Sequence, residues 1–158
     1  MAENHDKDFE EGRKFFEFGN FEVAEDFFSE LVEEVAPGDP RWALYRSWLG
    51  LTRAMQNDRG GLVLCRLAVK EGGTGPELHH NLARAERKFG NVSKALRVIE
   101  EGLSAYPDDP PLLDLLQRYD RRRPLSISWL RRDHPLNRWL GVVSFRWHRY
   151  QRKKRQVE

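Results

Sequence analysis

The sequence predicts an all-α chain of stacked helical hairpins. Three observations carry that reading: a turn signature that recurs, apolar residues at helical spacing, and prolines that punctuate the chain evenly. The turns Gly19-Asn20 and Gly90-Asn91 lie 71 residues apart, and Ala24 and Ala95 follow them at the same offset. Two units of about 34 residues plus a short insertion account for that distance. Pro40, Pro76 and Pro110 follow one another at 36 and 34 residues.

The first unit reads Gly12, Phe15, Gly19-Asn20-Phe21-Glu22, Ala24, Phe28 and Leu31, with Val23, Phe27, Leu31 and Val35 at intervals of four. In the middle unit Tyr45, Trp48, Leu49 and Thr52 fall at i, i+3, i+4 and i+7, one stripe of a helix. Gly61, Cys65 and Ala68 are expected in the places that Ala95, Ile99 and Gly102 hold in the third unit. Three extra residues are assigned to the loop Ala36-Pro37-Gly38-Asp39-Pro40, and Asp58-Arg59-Gly60-Gly61 replaces the Gly-Asn turn. The third unit runs from Leu82-Ala83 through Gly90-Asn91, Ala95, Ile99 and Gly102 to Pro107, and a further helix is expected over 110–120. Small residues at Ala24, Gly61 and Ala95 allow paired helices to approach closely. Gly19 and Gly90 suit a left-handed residue that ends each first helix.

A hairpin of this length with these occupants resembles the tetratricopeptide repeat family over residues 8–107. The expected repeats are about 8–39, 42–75 and 76–109, in a helical domain of residues 1–122. The resemblance implies a right-handed superhelix whose first helices line a concave groove. Carried over position by position, the groove residues are Phe9, Arg13 and Phe16, then Arg46, Gly50 and Arg53, then His80, Arg84 and Arg87. Six of these nine are Arg or His, which points to an acidic or carboxylate-ended partner segment, because an arginine fork bonds a carboxylate through two parallel hydrogen bonds. The competing reading is that these are ordinary solvated helix faces. Gly50 and Arg13 stand where chaperone-binding relatives carry an amide or lysine, so binding of a chaperone tail is not carried over. Secretion chaperones of three such repeats are similar in size, although a basic tail is not expected of them.

Charge is distributed unevenly. Residues 1–40 carry 13 acids and 3 bases, whereas residues 121–158 carry 2 acids and 12 bases. Segment 123–158 is therefore read as a basic, aromatic appendage, with a helix starting near Asp133 and an apolar seam of Leu136, Leu140, Val143, Trp147 and Tyr150, or a short strand where Val143, Phe145 and Trp147 alternate with Ser144, Arg146 and His148. Trp139, Arg146, Trp147, Arg149 and Tyr150 form its candidate surface. That surface either caps the array or binds an anionic membrane or nucleic acid. The acidic stretch Glu3–Glu11 is a candidate occupant of the groove, as is the tail.

Nothing in the pattern points to an enzyme, a cofactor or a metal. Cys65 has no Cys or His at ligand spacing. Gly72-Gly73-Thr74-Gly75 is followed by Pro76-Glu77 where a phosphate loop needs Lys and Ser/Thr. The acidic N-terminus has no apolar core of a signal peptide, and the longest apolar run, 139–145, is too short to span a bilayer. The expectation is a cytoplasmic adaptor, scaffold or chaperone-like module. The alternative is a peripheral membrane or nucleic-acid binder acting through 123–158, and the oligomeric state is left open.

Overall fold

Why the chain breaks into hairpins is visible in its turns. In the computed structural model, which describes residues 2–39, 41–72 and 75–119, seven helices follow one another. They are α1 (Ala2–Glu17), α2 (Phe21–Glu34), α3 (Trp42–Met55), α4 (Arg59–Lys70), α5 (Glu77–Lys88), α6 (Val92–Ala105) and α7 (Pro110–Tyr119). Among the described residues there is no strand, so the all-α expectation holds. The basic segment, with Trp139, Arg146, Trp147, Arg149 and Tyr150, lies outside the described residues.

The three hairpins α1/α2, α3/α4 and α5/α6 close through the same hydrogen-bonded device. Gly19, Asn57 and Gly90 take positive φ of 79°, 68° and 78°. Each donates its N–H to the carbonyl three residues back, on Phe16, Ala54 and Arg87, at 3.0–3.1 Å. The next residue in each turn donates five back, to Phe15, Arg53 and Glu86, at 2.9–3.0 Å. This pair of bonds satisfies helix-end carbonyls that would otherwise be orphaned. Asparagine tolerates the left-handed conformation, which is why Asn57 serves where its counterparts are glycines.

Aligning the hairpins on that turn corrects the register of the middle one. Gly12, Gly50 and Ala83 each precede their turn residue by seven, so Gly50 is a helix-crossing residue and not a groove residue. The groove row of α3 becomes Ser47, Leu51 and Ala54 in place of Arg46, Gly50 and Arg53. Leu62, not Gly61, falls opposite Ala24 and Ala95. The insertion is also spread differently from the expectation: α2 and α3 hold 14 residues each against 12 in α4 and α5, so most of the excess lies in helices and not in the 36–40 loop.

At the crossing of α3 and α4 the backbones touch. A Cβ on Gly50 would lie 2.7 Å from the Gly61 carbonyl oxygen, and one on Gly61 would lie 2.3 Å from that of Gly50. The small-residue reading of Gly61 is thus correct although its partner was not foreseen. At α1 the corresponding Gly12 abuts the Phe28 ring.

Neighbouring helices pack in chain order, and α3 also packs on α5 and α5 on α7. The first two hairpins share an aromatic cluster of Phe9, Phe16, Phe21, Phe28, Tyr45 and Trp48, with ring centroids 5.1–6.2 Å apart. Edge-to-face pairs of this kind each add about 0.5–1.5 kcal/mol beyond their burial. Polar ties join successive hairpins. Arg53 Nε donates to Glu25 at 2.7 Å, Arg66 donates twice to Glu86 at 2.7 and 2.9 Å, and Asn81 Nδ2 donates to Ser47 Oγ at 3.1 Å in a fully buried site. Helix α1 already begins at Ala2, so Glu3–Glu11 is part of the scaffold and does not lie in the groove as a separate strand of chain.

Candidate functional site

The helices α1, α3 and α5 share one face, and the corrected register decides what it presents. Its middle row, Ser47, Leu51 and Ala54, is fully buried. Side chains from the flanking helices close over it. The Arg13 guanidinium of α1 lies 5.3 Å from the Trp48 ring centre, and the Arg84 guanidinium of α5 lies 5.0 Å from that of Phe16 on α1. Arg13 Nη1 also comes within 4.0 Å of Glu77 Oε1 on α5. Side chains of the first and third hairpins thus meet across the second.

Two hollows remain on this face. One, of about 180 Å³, is lined by Arg13, Trp48, Glu77, His80, Arg84 and Asp109, among others. The other, of about 440 Å³, is lined by Phe16, Glu17, Phe21, Trp48, Met55 and Arg84. Trp48, Glu17 and Arg84 border both. The first is the smaller and is bordered by several charged side chains, and the second has an aromatic floor.

The site residues expected from the sequence separate into three groups. Arg13, His80 and Arg84 line the smaller hollow, as the resemblance implied. Phe9 is a core residue, enclosed by Phe28, Tyr45 and Trp48, while Phe16 is floor to the aromatic hollow. Arg46 and Arg53 are turned away from both hollows. Arg46 Nη1 donates to the Glu71 carboxylate at 2.8 Å while its guanidinium covers Trp42, and Arg53 is held by Glu25 of α2. The one-residue register error put them on the wrong side of α3. Arg87 covers the ring of Tyr119 at 5.7 Å, at the α5–α7 edge. Trp48, Glu77 and Asp109 were missed. Trp48 read as core in the helical stripe, and only its neighbours in space show that one edge of the indole borders a cavity.

Burial sets the electrostatics. Desolvation pushes the Arg84 guanidinium below its usual pKa, with Tyr119 and Glu17 opposing, and Arg84 forms no ion pair within 4.0 Å among the described residues. Desolvation also lowers His80, and the Arg84 charge beside it lowers it further, so His80 is neutral at pH 7. The Glu77 carboxyl is raised, chiefly by burial; Arg13 opposes the rise and Glu10 adds to it. Trp48 Nε1 and Arg13 Nε are buried with no hydrogen-bond partner. The Trp48 indole is close enough to Glu77 to favour its ionised form slightly, without completing a hydrogen bond. Cys65 is enclosed, its Sγ donating to the Ser47 carbonyl at 3.4 Å, and burial pushes the thiol up to about 12. Among the described residues no group of three or more His, Cys, Asp or Glu could hold a metal ion. None of their helices is long and apolar enough to cross a membrane.

With this geometry in view, comparison with known proteins identifies the fold. The tetratricopeptide repeat family model matches residues 76–119, the α5/α6 hairpin and α7. The fold is that of the tetratricopeptide repeat. Among solved structures the chain is similar to the first TPR of Spaghetti (RPAP3) bound to the HSP90 peptide SRMEEVD, with a TM-score of 0.57 and 16% identity. The similarity covers 77% of this chain and 94% of that one. No curated protein matches the sequence. In tetratricopeptide-repeat terms, Arg13, Leu51 and Arg84 occupy one equivalent position in three successive repeats.

Proposed function

We propose that this tetratricopeptide-repeat array is a non-catalytic interaction module. It holds an acidic or carboxylate-ended segment of a partner protein against the face shared by α1, α3 and α5. The observation that carries the reading is Arg84. Its guanidinium is desolvated, stacked on Phe16, and forms no ion pair within 4.0 Å among the described residues. Glu17 and Tyr119 offset that desolvation only in part, and an incoming carboxylate would offset the rest through charge-assisted hydrogen bonds to this half-buried guanidinium. Arg13 supplies a second cation from the opposite wall, and Phe16, Phe21 and Met55 supply an apolar bed beside them. A hollow of about 440 Å³ is of the size that receives a few side chains of a peptide. The peptide in the similar Spaghetti (RPAP3) structure is itself acidic, which supports the class of ligand. The cytoplasm, as an adaptor's working compartment, belongs to the same reading.

Fluorescence anisotropy with labelled SRMEEVD, and with the same peptide carrying Gln for Glu, Asn for Asp and an amidated end, tests it. The acidic peptide is expected to bind and the neutral one to bind at least tenfold more weakly. Arg84→Glu should abolish the difference. Arg46→Ala, on the far side of α3, should leave it intact. Equal binding of both peptides, or loss of discrimination in Arg46→Ala alone, overturns the reading.

A further inference from the structure

The smaller hollow contains an acid of its own. Glu77 opens α5, and its carboxylate stands between the first and third hairpins, 4.0 Å from Arg13 Nη1 and beside the Trp48 indole. That distance is too long for a hydrogen bond, and since Arg13 Nη1 donates to Glu10 Oε1 at 3.3 Å along α1, Glu77 is the looser of its two carboxylate neighbours. Two donors at the same place complete no hydrogen bond: Trp48 Nε1, on a residue only 4% exposed and close enough to Glu77 to favour its charge, and the buried Arg13 Nε. A built cavity, two unsatisfied buried donors and a loosely held internal carboxylate are the features of an anion subsite occupied by a weak stand-in.

We infer that Glu77 is a built-in competitor, which a partner's carboxylate displaces from Arg13 and Trp48 when the segment binds. The inference rests on the acidic-segment reading above and adds to it a specificity-determining residue. The hollow measures about 180 Å³. Since liquid water occupies about 30 Å³ per molecule, that is space for roughly six waters. It admits one acidic side chain or a terminal residue end-on, and not a length of extended peptide.

The competition is linked to pH. The groups facing Glu77 are Arg13 and Glu10 from α1, Trp48 from α3 and Asp109 before α7, with Glu17 of α1 and His80 and Arg84 on its own helix bordering the same hollow. Burial raises the Glu77 carboxyl, with Glu10 and Asp109 raising it further and Arg13 opposing. Glu77 therefore takes up a proton at higher pH than a solvated peptide carboxylate, whose pKa is about 4. As pH falls, Glu77 loses its charge before the ligand does, which leaves Arg13 paired only with Glu10 of its own helix while the ligand is still an anion. His80, lowered by burial and by Arg84, takes up its proton at lower pH than a solvated imidazole and, once charged, also favours the anion.

The test is the affinity of labelled SRMEEVD for the full chain and for Glu77→Gln, an isosteric change whose folding is checked by thermal unfolding. At pH 7.5 the variant is expected to bind about three- to tenfold more tightly than the parent. As the pH is lowered toward the range where the peptide's own carboxylates protonate, the parent should gain affinity, and Glu77→Gln should gain less, retaining only the His80 contribution. Removing His80 as well, in the Glu77→Gln/His80→Gln chain, should flatten the profile. Unchanged or weaker binding by Glu77→Gln, with Arg84-dependent binding of the parent intact, overturns this inference alone. Binding by neither chain removes the acidic-segment reading and this inference with it.

Discussion

Replacing Gly61 with alanine opposes two effects whose sizes can be set against each other. In a helix interior the exchange of glycine for alanine is worth about 1 kcal/mol in favour of the fold. Against it stands the α3–α4 crossing. The new Cβ would lie 2.3 Å from the Gly50 carbonyl oxygen, 2.6 Å from the Ala54 nitrogen and 2.8 Å from the Arg53 Cβ. Two of these are backbone atoms of a packed helix and cannot rotate away. Relief requires α4 to move outward by about 1 Å, dragging Leu62 and Cys65 from their contacts. Overpacking of this kind costs about 1–3 kcal/mol, and rigid backbone on the receiving side places this case at the upper end. The net is a loss of about 2 kcal/mol, or roughly 8 °C in Tm at about 4 °C per kcal/mol. The neighbouring Gly60→Ala is the control, since its Cβ would meet only the Asp58 side chain, at 3.1 Å on the surface. It keeps the helix gain without the backbone clash, so it should be as stable as the parent or more stable by up to about 1 kcal/mol. Thermal unfolding followed by circular dichroism at 222 nm reads both. A Gly61→Ala chain as stable as Gly60→Ala would refute backbone contact between these helices.

Two further outcomes follow from buried polar groups. Glu86 is 3% exposed and accepts hydrogen bonds from Arg66 and from Asn91 Nδ2 at 2.7 Å, tying α4 to the α5/α6 turn. Glu86→Ala should lower stability by about 2 kcal/mol, shifting the urea midpoint at constant slope, with a coupling to Arg66 of about 1–2 kcal/mol in a double-mutant cycle. Cys65, fully buried with its thiol pushed up to about 12, should resist a disulfide reagent from pH 7 to 9 and react only when urea unfolds the chain. Rapid labelling of the native protein would contradict that burial.

The hairpin beat was legible because it rests on local chemistry. Gly19 and Gly90 announce a left-handed helix end, and the alternation of small and large apolar residues announces which helix faces meet. The middle hairpin was misread by one residue for an equally local reason. Its left-handed residue is Asn57, and a glycine-based search slides past it to Gly60-Gly61. That single slip moved the expected groove row from Ser47, Leu51 and Ala54 to Arg46, Gly50 and Arg53. Two arginines thereby appeared to face a ligand when they face Glu71 and Glu25. Trp48, Glu77 and Asp109 were not legible at all. Their part in the hollow arises from side chains 29 or more residues apart meeting across α3, and no spacing within one helix encodes it.

The uncharged middle row is what makes two facing arginines possible. Arg13 and Arg84 hold the same position in the first and third hairpins, and the position between them belongs to Leu51, which is fully buried. Had the middle hairpin kept an arginine there, its charge would be buried without a partner between two others of the same sign. Such a charge costs several kcal/mol even after relaxation. It would also keep Arg13 and Arg84 from approaching the rings of Trp48 and Phe16. Leu51 removes that charge, and Ser47 and Ala54 remove bulk, so the outer hairpins can close over the middle one. The convergence of cations is therefore a property of three hairpins taken together. It depends as much on the residue that lacks a charge as on the two that carry one.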